Sequence, residues 1–189
     1  MMFLKSILSA LVLTSLVGCS SIYQSEHTNT DMANNGEACI GTIMAVPEGL
    51  KPAYDAELLA QASGKDGEGK LCEGRVFEAE KPITVYRVWN SDKDFTLYGR
   101  WWSLQKPEGP KAKYRKDNGI CPSWSSLNVM SECKLKVGSK IVIGPGQSAQ
   151  CKDFIYEKSA INQVFINNDS RNNMLMVQDC TQGTEWPAQ

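Results

Sequence analysis

The run Ile83-Thr84-Val85-Tyr86-Arg87-Val88-Trp89 decides the fold. Its β-branched and aromatic residues suit a pleated surface and predict a strand. Residues 95–104, 139–143, 161–167 and 174–178 have the same character. Turn-forming clusters punctuate them: Asn90-Ser91-Asp92, Gly144-Pro145-Gly146 and Asn167-Asn168-Asp169. Upstream, residues 51–62 (KPAYDAELLAQA) predict a helix. Pro52 suits its first turn, Tyr54, Leu58 and Ala62 share one face, and Gly64 stops it. A Gly/Lys-rich loop follows over residues 63–70, and residues 123–130 predict a short helix. The fold class read from this pattern is α+β: a single disulfide-stabilised domain dominated by an antiparallel or mixed β-sheet, with one or two short helices.

The first residues have a different grammar. Lys5 supplies a positive charge, and an apolar run over residues 7–17 follows, broken only by small residues. A permanent membrane span needs roughly 20 apolar residues, so this run reads as the core of an export signal. It ends in Leu16-Val17-Gly18-Cys19, which resembles the lipobox of bacterial lipoproteins, with Val17 a departure from the usual Ala or Ser. The resemblance implies cleavage before Cys19, a thioether-linked diacylglycerol on its thiol and acylation, such as palmitate, on its new amino group. Ser20 in the second mature position implies sorting to the outer membrane. A Cys is required because the thiol is the nucleophile that takes the lipid, and several acyl chains together hold a protein on a bilayer. An ordinary cleaved signal with an incidental Cys is the alternative. The expected organisation is a signal peptide over residues 1–18, a polar tether over 19–37 and one globular domain over 38–189.

Setting Cys19 aside leaves Cys39, Cys72, Cys121, Cys133, Cys151 and Cys180, an even set that predicts disulfides in an oxidising compartment. Sequence proximity alone pairs Cys39 with Cys72, Cys121 with Cys133 and Cys151 with Cys180. With no C-x-x-C pair, and with the only histidine, His27, in the tether, the composition gives no zinc, haem or iron-sulfur signature. No resident cofactor is expected. Lys+Arg 20 against Asp+Glu 21 gives no electrostatic case for nucleic acid.

The chain carries no G-x-S-x-G, P-loop or H-E-x-x-H motif, and no histidine within the globular part to serve a Ser or Cys nucleophile. One ordered set of residues stands out: Tyr86-Arg87, then Tyr98-Gly99-Arg100-Trp101-Trp102-Ser103, Tyr114-Arg115, Gly144-Pro145-Gly146-Gln147-Ser148 and Asn162-Gln163-Val164-Phe165. This order resembles the toxin domains of the ADP-ribosyltransferase-like superfamily over residues 82–167. The resemblance implies NAD as substrate. Arg87 would hold the pyrophosphate, Trp102 and Ser103 would line the nicotinamide ribose pocket, and Gln163 would orient the ribose hydroxyl. Transferases of that superfamily usually carry Glu where Gln163 stands, so the resemblance implies NAD hydrolysis at most, or lost activity.

The same residues also have structural readings. Trp101 and Trp102 are consecutive, so one faces the core and the other the opposite face. Arg87 reads as a solvent-facing residue between inward neighbours, and Gln163 as a polar partner on a half-buried strand. The function expected from the sequence is therefore a lipid-anchored envelope lipoprotein with a binding domain for an envelope protein or glycan. An NAD-binding or NAD-consuming domain is the alternative.

Overall fold

A computed structural model describes residues 38–45 and 48–187. The expected signal peptide, the lipidation site Cys19 and the tether carrying His27 lie outside the described residues. The elements in chain order are β1 (Leu50–Pro52), α1 (Ala56–Ala62), β2 (Arg75–Ala79), β3 (Ile83–Trp89), β4 (Trp101–Trp102), α2 (Lys111–Asp117) and β5 (Val129–Leu135). They continue with β6 (Lys140–Gly146), β7 (Ala149–Gln150), β8 (Ile155–Tyr156), β9 (Ser159–Ile166), β10 (Val177–Gln178) and β11 (Thr184–Glu185).

Every pair of these strands is antiparallel. One sheet runs β1-β2-β6-β9-β4, a second has β5 between β3 on one side and β10 and β11 on the other, and β7-β8 is a separate hairpin. The two larger sheets meet where Tyr86 and Ser103 exchange backbone hydrogen bonds of 2.8 and 2.9 Å. Between them lies a core of Phe77, Val85, Trp102, Leu135, Ile141, Ile143, Val164 and Ile166. The alternation that makes a strand explains which residues go there. On β6, Ile141 and Ile143 enter this core, while Val142 between them turns to the opposite face, against Leu58, Leu59 and Ala62 of α1 and Phe165 of β9. A third cluster, Val88, Leu127 and Trp186 with Tyr114 and Ile120 beside it, covers the far face of β3.

β3 occupies the span the sequence predicts. Other expectations need correction. The helix expected over 51–62 begins only at Ala56, because Asp55 caps it by accepting a 3.0 Å bond from Leu58 N–H. Pro52 instead ends β1, and Tyr54 is exposed. Residues 95–104 are not one strand: a 3-10 turn, Asp94–Tyr98, precedes the two-residue β4. The helix expected over 123–130 does not form. Those residues are an irregular segment followed by β5. Gly144-Pro145-Gly146 is not a turn but the end of β6, where a Cβ on Gly144 would lie 1.8 Å from the Glu73 carbonyl oxygen.

Three disulfides are formed, Cys39–Cys72, Cys121–Cys151 and Cys133–Cys180. Proximity gives the first pair correctly and the other two wrongly. Cys133 points from the middle of β5 into the inter-sheet core, whereas Cys121 lies in a separate cluster with Ala149 and Cys151. β10 lies antiparallel on β5 with Gln178 opposite Lys134, and Thr181 N–H donates to Glu132 O at 2.7 Å. Cys180 is thereby delivered to Cys133.

Candidate functional site

A cleft of about 320 Å³ opens between β9, α2, the loop at Glu68–Lys70 and the irregular segment after Gly119. That volume is at the small end of what ligand sites occupy. Arg87, Gln163, Trp101, Tyr114 and Trp124 are the lining residues whose chemistry matters most.

Arg87 reaches the cleft because β3 is covered on both faces. It shares its side of the strand with Ile83 and Val85, which enter the inter-sheet core, so strand alternation turns it inward rather than to solvent. The residue is half-buried. Its Nε donates to Thr96 O at 2.8 Å and its Nη1 to Trp101 O, and the guanidinium carbon lies 5.8 Å from the Trp102 ring centroid. Only glycine fits beneath it, since a Cβ on Gly99 would lie 2.0 Å from Nη2. Among the described residues no carboxylate pairs with it, and its other donors have no acceptor. Burial lowers its pKa to about 10, an effect opposed by the nearby Tyr114. It therefore remains a cation at neutral pH.

Gln163 sits on β9 opposite Gly144, two residues before Phe165 and on the same face. It is 4% exposed, and its Nε2 is shut from solvent without a hydrogen-bond partner, packed where a Cβ on Gly146 would be 2.8 Å away. Neither end of the amide is hydrogen-bonded within the described residues, so a half-turn of the terminal torsion presents either nitrogen or oxygen to the cleft. A buried unsatisfied amide costs roughly 1–3 kcal/mol.

The remaining walls are aromatic. Trp101 packs edge-on against Phe165 with centroids 5.1 Å apart, and Tyr114 packs edge-on against Trp186 at 4.9 Å. The Tyr114 hydroxyl is held neutral: burial pushes its pKa up to about 12, with Arg87 partly opposing. Trp124 is 53% exposed and covers Gly69, where a Cβ would come 3.0 Å from its ring. Its segment is set by Arg115, which leaves α2 to donate to the carbonyls of Ile120, Cys121, Ser125 and Ser126 at 2.6–3.3 Å, and by the Cys121–Cys151 bond. Glu68 and Lys70 at the rim form an ion pair of 3.8 Å.

Of the four site residues read from the sequence, Arg87 and Gln163 line this cleft together. Trp102 and Ser103 do not. Trp102 is buried in the inter-sheet core with its indole N–H on Gly99 O at 2.8 Å, and Trp101 takes the cleft face instead. The Ser103 hydroxyl donates to Gln105 O at 2.7 Å and accepts from Gln105 N–H, and the residue borders two neighbouring grooves rather than the cleft. Trp124 and Lys70 had no sequence signal that would place them here, because a disulfide and a loop bring them in. Among the described residues no cluster of His, Cys, Asp or Glu is arranged to hold a metal ion, and no helix is long and apolar enough to cross a membrane.

The chain matches no protein-family model, no curated protein and no solved structure.

Proposed function

We propose that this chain is a bacterial envelope lipoprotein, anchored through acylated Cys19 to the outer membrane, whose α+β domain works by binding a ligand in the cleft. The observation that carries the binding half is that Arg87, a cation with no carboxylate partner among the described residues, and Gln163, whose buried amide has no hydrogen bond there, line one cavity. Buried polar groups are normally satisfied, so a cleft that leaves the Gln163 amide open beside a cation with no carboxylate is suited to a ligand that completes it. The anchoring half is supported by the residues before Ser20, and disulfides suit an exported protein.

A second reading keeps NAD as the ligand, bound or consumed. It is favoured by the convergence of Arg87 and Gln163 and weakened by the positions of Ser103 and Trp102. Both halves have direct tests. Radiolabelled palmitate is incorporated by the wild-type chain and not by a Cys19→Ala variant; incorporation by both removes the anchor. NAD turnover by the oxidised protein, lost in both Arg87→Ala and Gln163→Ala, establishes the second reading, and absence of turnover and binding retires it.

A further inference from the structure

From the chemistry of this cleft we infer that its ligand is a single-ring oxyanion: one planar ring bearing a carboxylate or a phosphate ester. The inference rests on the cleft being a binding site and goes beyond it by fixing the ligand's charge, shape and size.

Charge follows from what lines the cavity. Glu68 and Lys70 offset one another at the rim, which leaves the Arg87 guanidinium as the uncompensated charge. A half-buried cation without a counter-ion is a natural partner for an anion. Two of its nitrogens are committed to the carbonyls of Thr96 and Trp101, which fixes the plane of the fork, and its remaining N–H groups are left for oxygen acceptors. Gln163 lines the cavity with an amide that has no hydrogen bond among the described residues, and an oxyanion or ring substituent supplies the partner once the amide turns about its terminal torsion. The Tyr114 hydroxyl, which hydrogen-bonds to no atom of the described residues, is a further donor.

Shape follows from the aromatic walls. Trp101 comes from β4 and Trp124 from the segment held by Arg115 and Cys121–Cys151, so two indoles are supplied by elements fixed independently of each other. Aromatic faces favour flat partners. Size follows from the volume: about 320 Å³ suits one ring with a charged substituent and is small for a polymer.

The test uses the protein as isolated, disulfides intact and labelled with ¹⁵N. The Gln163 side-chain amide and the Trp101 and Trp124 indole N–H resonances are followed on titration with benzoate, phenyl phosphate, benzamide, benzylammonium and cyclohexanecarboxylate. The expected result is that benzoate or phenyl phosphate, or both, shift these resonances, and which of the two is tighter identifies the oxyanion. Neutral benzamide and cationic benzylammonium bind at least about tenfold more weakly, the worth of one charge-assisted hydrogen bond. Non-planar cyclohexanecarboxylate is also weaker than benzoate. Arg87→Gln abolishes the shifts. Should that variant fail to fold, Gln163→Met, which keeps the volume, weakens benzoate about tenfold. Benzamide or benzylammonium moving the cleft resonances as readily as benzoate overturns the inference while leaving the cleft as a binding site. If no probe moves them, both the inference and the binding reading fall.

Discussion

Arg87 and Gln163 come from different sheets, β3 and β9, and line the same cleft, the one without a carboxylate and the other without a hydrogen bond among the described residues. The buried Gln163 amide is unfavourable where it stands, and the same kind of ligand would partner both residues.

That cost is measurable in the unliganded protein. Replacing Gln163 by Met removes the stranded amide while keeping the volume, so the variant is expected to be more stable than wild type by about 1 kcal/mol. Thermal or denaturant unfolding checks the sign. A variant less stable than wild type would mean that the amide is satisfied in solution.

The segment carrying Trp124 depends on Arg115. Arg115→Ala removes the guanidinium from the carbonyls of Ile120, Ser125 and Ser126, and from Cys121 O, which keeps its bond from Trp124 N–H, and a loss of about 2–4 kcal/mol is expected by denaturant unfolding. Arg115→Lys recovers only part of it, because an ammonium cannot span a fork's contacts. A change under about 0.5 kcal/mol for the Ala variant, the size of an ordinary surface substitution, would show that the disulfide alone holds the segment.

Much of the fold was legible in the sequence, and the failures have physical causes. β3 announces itself by its β-branched residues, and β9 was placed within two residues at its start. The start of β5 reads as helix, although Ser131, Cys133 and Leu135 alternate with Glu132 and Lys134 and are buried in that alternation. α2 is silent in the sequence because Lys111-Ala112-Lys113-Tyr114-Arg115-Lys116-Asp117 has no apolar stripe. It packs through Tyr114 alone on the Val88, Leu127 and Trp186 cluster and buries an arginine against carbonyls. The disulfides followed topology rather than spacing. In the site, Arg87 and Gln163 were singled out from the order of short motifs, but the choice between Trp101 and Trp102 rests on strand facing, which adjacency leaves open.

Disulfide mapping tests that topology. Non-reducing peptide mass spectrometry is expected to recover Cys121 linked to Cys151 and Cys133 linked to Cys180. Replacing both Cys133 and Cys180 by Ala is expected to cost about 4 kcal/mol, given the 47-residue separation. Recovery of Cys121 linked to Cys133 would contradict the placement of β10 on β5.

Binding at the cleft should depend on alkaline pH in a defined direction. Burial penalises the charged form of Arg87 and brings its pKa to about 10, so its cation is lost as pH rises through that value. Tyr114 beside it stays neutral until about 12, and the other charges at the cleft, Glu68 and Lys70, form a pair at the rim. Affinity for an oxyanion is therefore expected to be flat between about pH 6 and 9 and to fall by about tenfold per unit well above 10. For stability the sign is opposite: the penalty of burying the cation is present below about pH 10 and is relieved as pH rises towards the ordinary arginine range. Calorimetric titration of benzoate across this range checks the profile. Affinity that rises above pH 10 would exclude Arg87 as the anion contact.

The most direct measurement is a crystal structure of the oxidised protein with benzoate. The account predicts the ring in the cleft beside Trp101 and Trp124, its carboxylate on the Arg87 guanidinium, and the Gln163 amide turned to make a hydrogen bond it lacks in the free protein. Benzoate bound elsewhere, or a cleft in which Gln163 remains unpartnered against Gly146, would contradict it.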